Sequence, residues 1–190
     1  MNAYQLLHRI GFRELLRRVY RIEVVGADRI PADGPLIVVA NHESIWDPFI
    51  LGVVTPREIH YMAKSELFRS RALAAAMRSL NAFPVERGGG DRDAMSEAGR
   101  LLARGAVLGM FPQGTSKPER QSGWHRGAAR LALATGAPLV PVRLSGTRRL
   151  PRGSHLRIVV GEPIVVPVAR PTIAAAKSLT EQLEHAVMTA

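Results

Sequence analysis

Apolar residues recur along the chain with two spacings. Residues 4–22 follow a helical period, with Phe12, Leu15, Leu16, Val19 and Ile22 on one side and Arg9, Arg13, Arg17 and Arg21 on the other. Gly11 interrupts that helix. Two settings suit such a pattern. The helix can lie in a membrane interface, its apolar side in the acyl boundary and its cations on headgroup phosphates. It can also pack on a core and leave its basic face to solvent.

Further along, short strand-like runs alternate with helical stretches. Residues 22–25, 36–40, 59–63, 82–85, 107–111, 138–144 and 156–160 read as strands, and the Leu-Ile-Val-Val-Ala run at 36–40 reads as a buried one. Helices are predicted over 48–54, 66–80, 93–104, 124–135 and 173–188. The Asp47-Pro48 pair suits a helix start, because a carboxylate can cap free backbone N–H groups and proline fits the first turn. Turn chemistry at Pro31-Ala-Asp-Gly-Pro35 and Arg87-Gly-Gly-Gly90 separates the elements. This order predicts an α/β fold: a single domain over residues 1–190, with a central, mostly parallel sheet covered by helices and an N-terminal amphipathic helix. A length of 190 residues fits one such core.

Charge narrows the partners. Lysine and arginine number 26 against 16 acids, a formal +10 that attracts polyanions such as nucleic acid or an anionic membrane surface. Only 5% of residues are aromatic and no basic stretch interleaves with them, so no nucleic-acid partner is expected. No apolar run reaches the roughly 18 residues of a membrane span, so membrane contact is expected to be peripheral. Cysteine is absent, which removes thiolate metal sites and fits a reducing cytoplasmic location. His60, His125 and His155 lack close ligand spacing, and no Gly-X-Ser-X-Gly elbow is present, so neither metal nor serine-hydrolase chemistry is expected.

His42 and Asp47 carry the candidate chemistry. An alcohol attacks a thioester poorly until a base removes its proton, and a neutral imidazole suits that task. Asp47, across a strand-to-helix turn, is placed to accept the other ring N–H and support the imidazolium. Spacing alone equally describes a core histidine beside a helix cap.

Asn41-His-Glu-Ser-Ile-Trp-Asp47 and Phe111-Pro-Gln-Gly-Thr-Ser116, each after an apolar strand, together resemble the glycerophospholipid acyltransferase family. The resemblance extends over residues 36–146 in four blocks and is similar to the bacterial 1-acylglycerol-3-phosphate acyltransferases. It implies that His42 and Asp47 form the catalytic dyad, that Asn41 and Ser44 belong to the substrate site, and that Arg87 in Ala82-Phe-Pro-Val-Glu-Arg87 helps hold the acceptor phosphate. Lys64 matches a recurrent family lysine that adds a phosphate-directed charge. The third block departs from the family's Phe-Pro-Glu-Gly-Thr-Arg: Gln113 replaces glutamate and Ser116 replaces arginine. Serine cannot form a guanidinium fork, so phosphate binding is expected to weaken unless Lys117 or Arg120 compensates. Gly114 permits close backbone approach and Thr115 offers a hydroxyl, which makes both binding candidates. The fourth block, Ala137-Pro-Leu-Val-Pro-Val142, and the preceding Gly127-Ala-Ala-Arg-Leu-Ala132 look like scaffold and acyl-pocket elements.

The implied activity is transfer of a fatty acyl group from acyl-CoA or acyl-carrier protein to 1-acylglycerol 3-phosphate, giving phosphatidic acid, without a metal or bound cofactor. The implied place is the inner, cytoplasmic face of an anionic membrane, where a lysophospholipid acceptor is at hand. The two departures leave open a phosphate-free acceptor, such as a lyso-aminolipid or hydroxylated metabolite, and a non-catalytic lipid-binding relative. Acyl-chain length and oligomeric state have no signature in the chain.

Overall fold

The computed structural model describes residue 6 and residues 11–86, 92–117, 123–152 and 155–190. Its strands are β1 (Glu23–Val25), β2 (Leu36–Ala40), β3 (Ile59–Lys64), β4 (Ala82–Val85), β5 (Val107–Met110), β6 (Leu139–Ser145) and β7 (Arg157–Val160). Its helices are α1 (Phe12–Val19), α2 (Asp47–Leu51), α3 (Arg71–Ser79), α4 (Arg92–Ala103), α5 (Gly127–Thr135) and α6 (Ile173–Thr189). The strands form one sheet in the order β1-β7-β6-β2-β5-β3-β4, parallel at every pairing except β6 with β7. The fold is thus the expected α/β architecture.

Period-two alternation in β2 sorts the two layers around it. Leu36, Val38 and Ala40 join Ile50, Leu51, Tyr61 and Val142 on one face. Ile37 and Val39 join Ala98, Leu102, Leu131 and Leu183 on the other. A strand buried on both faces must be apolar throughout, which is why this run alternates in direction but not in polarity.

Three elements differ from expectation for local reasons. The first helix is described only over Phe12–Val19, after Gly11 at φ 72; most of residues 1–10, Arg9 included, lies outside the described residues. Its apolar side is split, because Leu16 packs on the core while Leu15 and Val19 stay 56% and 59% exposed. The helix expected at 66–80 is a 3-10 turn, Ser65–Phe68, followed by α3 after an extended Ser70. That break lets Phe68 fold onto the core, where the Arg78 guanidinium sits 5.7 Å over its ring. The helix expected from Trp124 begins at Gly127, and Trp124 packs against the second layer.

At the amino ends of the strands, Arg57 donates to the carbonyls of Pro31 (3.0 Å), Gly105 (2.7 Å) and Gly34. It bridges the loops entering β2 and β5, the neighbours whose far ends carry the site.

Candidate active site

Val39 of β2 pairs with Met110 of β5, so the residues after both strands emerge side by side at the carboxyl edge of the sheet. Parallel sheets leave their crevice there. Asn41 is buried; its Nδ2 donates to Leu144 O at 2.9 Å and its Oδ1 accepts from Leu144 N at 2.7 Å. Expected at the substrate, this amide instead braces the turn against β6.

His42 Nδ1 lies 2.8 Å from Asp47 Oδ2, with the imidazole 17% exposed and the carboxylate wholly buried. The same Oδ2 accepts from the backbone N–H groups of Glu43 (2.6 Å) and Ser44 (2.8 Å). The helix-cap expectation for Asp47 is corrected by this pattern. Asp47 occupies the first helical position after Trp46, and its carboxylate turns back onto the 42–44 turn. The two backbone donors fix the carboxylate, which in turn orients the ring. With Nδ1–H donating to Asp47, Nε2 is the basic nitrogen.

A column of rings sets the imidazole plane. Phe111 stacks on His42 at 4.5 Å between centroids, and Tyr61 stacks on Phe111 at 6.4 Å. Tyr61 Oη donates to Pro48 O at 2.7 Å, tying the column to α2. Gly109 makes room for it, since a Cβ there would stand 2.4 Å from Tyr61 Cε1.

Gln113 Oε1 accepts the backbone N–H of His42. Gln113 thereby joins the 111–117 loop to the 41–47 turn, and an amide oxygen serves that purpose as a carboxylate would. Gly114 takes φ 69 and donates its N–H to Phe111 O, closing the turn. Thr115 Oγ1 accepts from Lys117 N at 3.2 Å, and Ser44 Oγ accepts from Trp46 N at 3.3 Å.

Two cavities meet at His42, Met62 and Phe111. The first, of about 650 Å³, has apolar walls from Phe12, Leu16, Phe49, Val53 and Leu67. Arg13, Lys64 and Lys117 add cations to it, beside Thr115 and Ser116. The second, of about 720 Å³, opens between β4, β5 and helices α4 to α6. The stretch 137–142 lines neither cavity and belongs to the core, whereas Gly127 and Ala128 reach the second. Arg87 and Arg120 lie outside the described residues. His60, on β3, is pushed below the usual histidine range by burial, with Glu58 and Glu97 acting the other way; it lines neither cavity.

Sequence reading missed the ring column and the second cavity. An isolated glycine within the apolar strand at 107–111 was the available sign of a close approach.

Residues 21–145 match the family described as Acyltransferase. The chain is 32% identical over 147 residues to the 1-acyl-sn-glycerol-3-phosphate acyltransferase of Bacillus subtilis (strain 168), covering 75% of this chain and 73% of that protein. It is 29% identical over 157 residues to the chloroplastic 1-acyl-sn-glycerol-3-phosphate acyltransferase LPAT1 of Arabidopsis thaliana, covering 76% of this chain but 44% of that protein. The crystal structure of the 1-acyl-sn-glycerophosphate (LPA) acyltransferase, PlsC, from Thermotoga maritima shares the fold, with a TM-score of 0.72 and 24% identity over 98% of this chain and 77% of that one.

Proposed function

This chain belongs to the acyltransferase family, and on that footing we propose that it transfers a fatty acyl group from acyl-CoA or acyl-carrier protein to 1-acylglycerol 3-phosphate, forming phosphatidic acid. The observation carrying this reading is the His42–Asp47 pair at the meeting point of two cavities, one of them apolar with three cations on its wall.

His42 Nε2 takes the proton of the acceptor hydroxyl, and the oxygen attacks the thioester carbonyl carbon. Asp47 supports the imidazolium without accepting the proton. The tetrahedral intermediate collapses with loss of the C–S bond, and the imidazolium returns its proton to sulfur, leaving an ester and a free thiol. The acceptor's tail occupies the first cavity on Phe12, Leu16 and Phe49, and its phosphate meets Arg13, Lys64 and Lys117. The test is thioester release with lysophosphatidate, with a phosphate-free lyso-lipid and with no acceptor. Release that requires lysophosphatidate supports the reading; equal release in all three sinks it.

Ser116 supports the alternative of a phosphate-free acceptor, because it stands on the cavity wall where the family places an arginine. Ser116→Arg is expected to raise kcat/KM for lysophosphatidate roughly tenfold through a charge-assisted bond, with little change for the phosphate-free lipid. Gln113→Glu alone should matter less, since residue 113 holds the loop. An equal response of both acceptors to Ser116→Arg contradicts this account.

Membrane docking of the first cavity's rim is part of the proposal. Ile45 (75% exposed) and Leu67 line that rim, Leu15 and Val19 are exposed on the helix whose Phe12 and Leu16 line the same cavity, and among the described residues no helix is long and apolar enough to cross a membrane. A surface cation near an anionic bilayer contributes about 1 kcal/mol. Neutralising the exposed Arg18 and Arg21 should therefore weaken co-sedimentation with anionic liposomes roughly thirtyfold. Salt-insensitive binding to neutral liposomes would contradict the electrostatic part.

A further inference from the structure

The two cavities reach His42 from opposite faces of the sheet. The first lies on the α1–α3 side and the second on the α4–α6 side. Transfer needs two substrates at one imidazole, and a separate approach for each avoids a collision between them. The two mouths differ in chemistry. The first is rimmed by exposed apolar side chains, whereas the second carries exposed His125, Arg126 and Arg130.

Arg126 and Arg130 stand one helical turn apart, and among the described residues neither has an ion-pair partner. Like charges at this spacing repel, a cost that an anion held between them removes. Glu86 is also on the wall and has a partner of its own. Deeper in, Met62, Met95, Met110 and Phe111 line the way to His42. Unbranched thioethers adapt to a flexible chain passing between them.

Resting on the acyl-transfer reading, we propose that the second cavity is the donor port. Arg126 and Arg130 hold the phosphate of the 4′-phosphopantetheine arm, and the arm runs past the methionines to bring its thioester carbonyl to His42. That arm is common to acyl-CoA and acyl-carrier protein, and both are water-borne anions suited to a cationic mouth away from the apolar rim. The acceptor hydroxyl arrives from the first cavity, so donor and acceptor are sorted by the sheet itself. After transfer the carrier leaves by the second cavity as a free thiol.

The test is steady-state kinetics of the double variant Arg126→Glu/Arg130→Glu, with acyl-CoA and acyl-carrier protein as separate donors and lysophosphatidate as acceptor. Arg104→Glu, exposed at the other end of the sheet, controls for overall charge. The donor KM is expected to rise roughly ten- to hundredfold, with kcat at saturating donor and the acceptor KM unchanged. A rise for both donors supports recognition of the shared arm. A rise for one supports the port and identifies the carrier. A donor KM equal to that of the Arg104 control, or an acceptor KM rising in its place, overturns the proposal. Absence of transfer to lysophosphatidate by the unaltered protein, with transfer to another hydroxyl, would count against the acceptor assignment and leave the donor port to be judged by the donor KM alone.

Discussion

His42→Ala should lower kcat by about three to four orders of magnitude, the upper part of the range for loss of a positioned general base. Stability should hardly change, because Asp47 retains two backbone donors on Oδ2 and the ring removed is partly exposed. Asp47→Asn separates the two roles of the carboxylate. An amide oxygen can still accept from Glu43 N and Ser44 N, so the turn survives, but the imidazolium loses its counter-charge. A fall of about two to three orders of magnitude is expected. Thioester release measured beside a thermal melt checks both. Activity within tenfold of the parent for either folded variant would remove the dyad from the mechanism.

Gly109→Ala is expected to destabilise the fold by about 3 kcal/mol, the cost of forcing a methyl group into a packed layer. The clash is with Tyr61 Cε1 at 2.4 Å and Ile59 Cγ2 at 2.8 Å, the two buried residues of β3. Tyr61 cannot swing aside without breaking its bond to Pro48 O and disturbing Phe111, the ring on which His42 rests. Activity should therefore fall below what the loss of folded protein accounts for. The melting temperature should drop by roughly 10 °C for a chain of this size. Gly99→Ala provides the opposite sign: nothing lies within 4 Å of a Cβ there, and alanine in the interior of α4 should stabilise by up to about 1 kcal/mol. Equal shifts for the two substitutions would contradict the packing argument.

Much of the fold was legible because its determinants are local. The apolar run Leu36–Ala40 had to be a strand buried on both faces, and alternating strands and helices had to give a parallel sheet with helical layers. Helix limits were less legible where tertiary contacts moved them. Phe68 and Trp124 both left a predicted helix to pack on the core. The site divides in the same way. His42 and Asp47 are close in the chain, and their pairing follows from a short turn. The amide oxygen of Gln113 accepts from a backbone N–H 71 residues away, a pairing that no local spacing announces. Asn41 likewise turned toward Leu144, 103 residues away.

The order of elements and the strand interiors were determined by the sequence itself, since each rests on side-chain type and short-range spacing, whereas His42 and Asp47 were singled out by their motif and not by their spacing. Tertiary structure alone decided where the amides of Asn41 and Gln113 bond, which ring stacks on His42, and that two cavities from opposite faces converge there. Those features depend on distances between segments remote in the chain, which periodicity does not encode.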